Sequence, residues 1–145
     1  MKLSVNQLLQ QGVIAHKAGT LEEAERLYRA ILITQPMHPD GNHNLGLLMI
    51  ASNNFKEALP LFRLALQANS KVDQFWLSYI DLLIKENDFN TAKGAILDGK
   101  NNGLSEKKID MLNQQLLESK NQKHPPQSQI NSLKKYCAKA DYVKA

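Results

Sequence analysis

The sequence predicts an all-α protein assembled from helix pairs that recur with a period of about 34 residues. Three observations carry that prediction. Ala24, Ala58 and Ala92 stand one such period apart, each three places after a large apolar residue (Leu21, Phe55, Phe89) and four before another (Tyr28, Phe62, Ile96). Apolar side chains recur at helical spacing inside each unit, as in Leu61, Phe62, Ala65 and Leu66. With only 7 Gly and 5 Pro in 145 residues, a turn-rich β fold is disfavoured.

Each unit reads as helix A, a short turn and helix B. In the first, helix A covers about Val5–Lys17, the turn is Ala18-Gly19-Thr20, and helix B runs from about Leu21 to Ile33. Pro36 and Pro39 then close the unit, because proline cannot continue a helix. The second has helix A near Gly41–Ala51, turn Ser52-Asn53-Asn54 and helix B near Phe55–Ala68. The third has helix A near Gln74–Lys85, turn Glu86-Asn87-Asp88 and helix B near Phe89–Gly99. Gly19, Thr20, Asn53, Asn54, Asn87 and Asp88 suit the end of one helix and the cap of the next. Gly12 and Gly46 share one place in helix A, where a bare backbone admits the partner helix; Ile80 takes that place in the third unit. The small Ala24, Ala58 and Ala92 let helix B approach helix A, and Tyr28, Phe62 and Ile96 fill the gap to the next unit.

The run Leu45-Gly46, Phe55, Glu57-Ala58, Phe62, Ala65-Leu66 resembles a tetratricopeptide unit. Gly12, Gly19, Leu21, Glu23-Ala24, Tyr28, Leu32 and Pro36 resemble a second. Trp76, Tyr79, Phe89 and Ala92 resemble a third, which departs from the pattern at Ile80 and Gly99. The resemblance covers about residues 5–104. It implies a right-handed superhelix of antiparallel helix pairs with a concave groove lined by the A helices, and a core place for Trp76.

Ser105 is suited to cap a further helix with the stripe Ile109, Leu112, Leu116 and Leu117, expected to cover the last B helix. The array with this capping helix is expected to span residues 1–118. Residues 119–129, with Pro125-Pro126-Gln127, read as a flexible linker, and residues 130–145 as the truncated start of a further unit. There Tyr142 and Ala145 repeat the spacing of Leu21 and Ala24, so the chain is expected to be a fragment of a longer protein. The arrangement resembles bacterial proteins in which such an array precedes a glycosyltransferase, sulfotransferase or methyltransferase. The alternative role implied is therefore the substrate-recruiting arm of a larger transferase, with the downstream catalytic domain among its partners.

Residues 1–118 hold 12 Lys and Arg against 13 Asp and Glu, so the net charge of +4 belongs to the tail. A near-neutral body argues against nucleic acid as a partner. No apolar run approaches the ~18 residues of a membrane helix, the first residues lack a signal-peptide core, and Cys137 is the only cysteine. A cytoplasmic location is the default expectation. His38, Asp40 and His43 stand close together, but an inter-repeat loop with Asp40 as a helix cap explains them better than a metal site. The segment Gly41–Gly46 lacks the Gly-Lys-Ser/Thr ending of a phosphate loop. Cys137 has no histidine at the spacing of a thiol enzyme. No catalytic residue, metal site or cofactor is expected, and the chain reads as a scaffold that binds a peptide or protein.

The expected binding surface follows from the family's groove. It comprises Asn6, Leu9, Gln10, Val13, His16 and Lys17 in the first unit, then Asp40, His43, Asn44, Leu47, Ile50 and Ala51. The third unit adds Gln74, Leu77, Ser78, Asp81, Ile84 and Lys85. Leu9, Val13 and Leu77 occupy places where a carboxylate clamp needs Lys, Arg or Asn. What remains is an apolar stripe beside Gln10, Asn44 and Ser78, suited to an extended peptide with apolar side chains.

Overall fold

A computed structural model describes residues 2–123. Seven helices follow one another: α1 (Val5–Lys17), α2 (Leu21–Thr34), α3 (Pro39–Ala51), α4 (Phe55–Ala68), α5 (Asp73–Lys85), α6 (Phe89–Asn101) and α7 (Glu106–Lys123). Among the described residues there is no strand. The expected linker from 124 and the partial unit at 130–145, with Cys137 and His124, lie outside the described residues.

The turns obey the repeat period in their backbone. Gly19, Asn53 and Asn87 all adopt left-handed φ values, of 81°, 59° and 62°. Glycine does so freely and asparagine more readily than most residues. The next residue then stands at the N-cap of helix B. Asn54 and Asp88 accept from the backbone N–H of Glu57 and Thr91, both at 3.3 Å. Thr20 instead donates its hydroxyl to the carbonyl of Ala15 at 3.0 Å.

Between units the structure corrects the expectation at the proline pair. Pro39 opens α3 rather than closing the first unit, because the first helical position needs no N–H. His38, not Asp40, caps α3: its Nδ1 accepts from the N–H of Gly41 at 2.9 Å. Asp40 sits in the first turn, where a carboxylate favours the helix dipole.

Packing explains the repeated residue types. A Cβ at Gly12 would stand 2.6 Å from a ring carbon of Tyr28, and one at Gly46 2.5 Å from a ring carbon of Phe62. The aromatic edges therefore rest on bare backbone. In the third pair Ile80 replaces the glycine while Ile96 replaces the aromatic, and both are buried in one cluster. Volume has moved from one helix to the other with the contact kept. Trp76 is buried, as expected, and its indole N–H donates to the carbonyl of Ser70 at 2.8 Å. Asn42 holds the matching place one period earlier, and its amide donates to the carbonyl of Pro36 at 3.0 Å. Both α3 and α5 are thus pinned by a side-chain donor to the loop that precedes them.

Buried residues form two clusters. One joins α1 to α4 with Leu82, the other runs from the end of α4 to α7, and Leu59 and Tyr79 pack against both. Ser105 caps α7 as expected, accepting from the N–H of Lys108 at 3.4 Å. α7 then continues to Lys123, so the boundary expected at Glu118 falls inside a helix.

Candidate functional site: the concave face of the A helices

α7 packs against α5 as well as α6. Lys108 reaches Asp73 at 2.6 Å, and the side-chain amide of Gln115 donates to Asp81 at 2.6 Å. Both pairs are separated by about one repeat along the chain. α7 thus packs as the A helix of a following unit would, and it walls the groove as well as covering α6.

A concave pocket of about 420 Å³ on this face lies where α3, α5 and α7 meet. Leu47, Leu77, Met111 and Leu112 give it an apolar floor, and Gln74, Asp81 and Gln115 a polar rim. The rim is held in place before anything binds. Asp81 pairs with Lys85 at 3.0 Å and accepts from Gln115, while the amide of Gln74 donates to the hydroxyl of Ser78 at 3.3 Å. A smaller hollow of about 230 Å³ between α1 and α3 is lined by Val13, His16, Lys17, Tyr28 and Asn44. The ring of His16 lies 3.3 Å from the Tyr28 hydroxyl, and burial pulls its pKa below the ordinary histidine value.

The expected groove residues divide accordingly. Leu47, Gln74, Leu77 and Asp81 line the larger pocket, and Val13, Lys17 and Asn44 the smaller. Asn6, Leu9, Gln10 and Ile50 border neither. Three expected groove residues, His43, Ser78 and Ile84, are 5%, 8% and 3% exposed and take part in the packing between helices. The His43 ring lies between Phe62 and Phe75, with centroids 5.5 and 4.8 Å away, and its Nε2 meets the Ser78 hydroxyl at 2.8 Å. Burial lowers its pKa, since a charged imidazolium would lose its hydration there. Ser78 still edges the larger pocket, but its oxygen is already engaged by His43 and Gln74. Met111 and Gln115 are pocket residues that sequence reasoning missed. The signal was present, because they stand one period after Leu77 and Asp81.

Among the described residues no cluster of three metal-ligating side chains occurs, and no helix is long and apolar enough to cross a membrane.

The backbone as a whole superposes on a translocator chaperone, SycD of Yersinia enterocolitica, with a TM-score of 0.70 at 14% identity, covering 84% of this chain and 89% of that one. It also superposes on the tetratricopeptide domain of Sgt2 from Aspergillus fumigatus, with a TM-score of 0.64 at 21% identity over 81% and 78% of the two chains. This is the tetratricopeptide-repeat fold. The TPR2B domain of yeast Sti1 gives a TM-score of 0.69 at 16% identity, over 79% of this chain and 96% of that one. In sequence, 74 residues are 31% identical to human tetratricopeptide repeat protein 7B, which is 51% of this chain but 9% of that protein. No family model matches the chain. The helix pairs accordingly form the right-handed superhelix of this fold.

Proposed function

We propose that the chain is a protein-interaction scaffold whose α3/α5/α7 pocket takes an apolar side chain from a peptide segment of its partner. The observation that carries this is the pocket's make-up: an apolar floor under a rim of prearranged amides, with no lysine or arginine among its lining residues. Such a rim can bond a peptide backbone, while the floor gains from burial, ~1.5–3 kcal/mol for a leucine-sized group. After ordering costs, one pocket of this kind supports weak, short-lived binding. A free carboxylate terminus would meet the Asp81 carboxylate, which already holds Lys85, so recognition runs through an internal apolar residue. Two structures of similar fold support a peptide ligand. SycD has been solved with a peptide of the translocator YopD, and the Sti1 domain as an Hsp70 complex.

The chain's role as a recruiting arm for a transferase is a proposal of a different kind. It rests on the resemblance of the linker region and stays open beside the first reading, because the pocket serves either. For the pocket itself, the test is a peptide-display selection against the full chain and against Met111→Asp and Leu77→Asp. Met111 is 62% exposed, so its replacement leaves the fold intact. Enriched peptides should share an internal apolar anchor and be lost on both variants. Equal enrichment on all three proteins, or peptides that bind only through a terminal carboxylate, would overturn the proposal.

A further inference from the structure

On the opposite side of α7 a second slot runs along its junction with α6, independent of the concave pocket. It measures about 470 Å³ and is lined by Asn90, Lys93, Gly94, Ile96, Leu97, Lys100, Ile109 and Asn113. One repeat earlier the same place is filled. Leu59 stands where Lys93 does, Pro60 where Gly94 does, and the ring of Tyr79 where Asn113 does. There Leu59 and Tyr79 pack into the core, and the Tyr79 hydroxyl meets Nε of Arg63 at 3.5 Å. Replacing the tyrosine by asparagine and the proline by glycine opens the slot. Leu97 lines it and Leu117 stands one turn beyond Asn113 on α7, both 59% exposed.

Charge decides what fits. The charged side chains lining the slot are both lysines. Lys93 has no carboxylate within ion-pair distance among the described residues, while Lys100 has only the exposed Glu106 at 3.6 Å. At the far end Lys120 lies 6.0 Å above the ring of Phe89. The opposing charges nearest in sequence are Asp88 at the start of α6, Asp98 on α6 and Asp110 on α7; none of the three lines the slot, and Asp88 stands beside Phe89 and Lys120 at its end. The chain's own residues 124–145 carry 4 Lys and 1 Asp, the wrong sign for this slot. The slot follows α6, which at 1.5 Å per residue is about 20 Å long, the length of a three- to four-turn helix.

We infer that the α6/α7 slot docks an acidic amphipathic helix of another protein. Its apolar stripe would cover Leu97, Ile96 and Ile109, and its carboxylates would flank Lys93, Lys100 and Lys120. This is the helix-in-groove mode.

The test titrates the full chain into three labelled peptides by fluorescence anisotropy. One is a four-turn helix with leucines at i, i+3, i+4 and i+7 and glutamates elsewhere. The second carries lysine in place of each glutamate, and the third has the sequence of residues 124–145. The acidic helix should bind about tenfold more tightly than either of the others at low salt, from two or three exposed ion pairs. Salt should erode that margin. Leu97→Asp should abolish binding and Lys93→Glu should weaken it, with helical content unchanged because both side chains are exposed. Leu77→Asp, in the concave pocket, should leave it unaltered. Equal binding of the acidic and basic helices, tighter binding of the 124–145 peptide, or self-association that Leu97→Asp removes would each overturn the inference.

Discussion

Adding one methyl group at Gly46 tests the packing logic of the whole array. A Cβ there would lie 2.5, 2.8 and 3.2 Å from three ring carbons of Phe62, which is fully buried and cannot swing into solvent. His43 leans on the same ring, so the ring cannot retreat freely. Such overpacking costs roughly 1–3 kcal/mol. Against it stands the helix propensity gained on replacing glycine by alanine, about 1 kcal/mol. Gly94 in α6 supplies the control, since a Cβ there meets nothing within 4 Å. Gly94→Ala gains the propensity with no steric cost, so the difference between the two variants isolates the overpacking. Urea denaturation followed by circular dichroism should place Gly94→Ala above the wild type and Gly46→Ala below Gly94→Ala by roughly 1–3 kcal/mol. A Gly46→Ala protein as stable as Gly94→Ala would refute the claim that the ring rests on that backbone.

Other expectations follow from single contacts. His43 is held neutral by burial, so the folded state binds fewer protons than the unfolded chain, whose histidines titrate near ~6.5. Stability is therefore complete above that value and falls as pH drops below it; urea midpoints at pH 7.5 and 5 should differ less in His43→Asn than in the wild type. His16 contributes in the same direction and leaves a residual slope. The Arg29–Glu57 pair, at 2.7 Å, links α2 to α4, but its side chains are 44% and 37% exposed. Arg29→Gln should shift stability by no more than about 1 kcal/mol, and a loss of several would show the bridge to be a structural tie. Trp76 is the single tryptophan and is buried against Ser70, so its fluorescence should move to longer wavelength through the main unfolding transition. Emission already characteristic of exposed indole in the native protein would contradict its placement.

The period made the fold legible. Three alanines and two glycines at one spacing announce A/B pairs, and the structure returns the same contacts at Tyr28 and Phe62. The groove was legible only in part, because the period assigns a face without saying how closely neighbouring A helices approach. His43 shares its register with Leu9, Leu77 and Met111, yet Phe75 of the next unit closes over it. No comparison of equivalent positions reveals that, since Phe75 aligns with Gly41. α7 covers α6 as expected and does more besides. Its apolar stripe suggests a cover, while Met111 and Gln115 continue the groove's rows. The α6/α7 slot, too, exists only as a difference between units, where asparagine stands for tyrosine.

The division of the core into two clusters has a consequence for cooperativity. In a stacked array each unit is coupled only to its neighbours, so the weakest junction limits how far order spreads. Here Leu59, Tyr79 and the His43–Ser78 bond bridge the two clusters. Heat should therefore melt the protein as two partly separate blocks, α1 to α4 and α5 to α7, rather than in one step. The concave pocket spans that seam, with Leu47 on one side and Leu77 and Met111 on the other. A ligand held there fastens the blocks together, and its arrival should be felt as a sharper melt even where the shape of the array is unchanged.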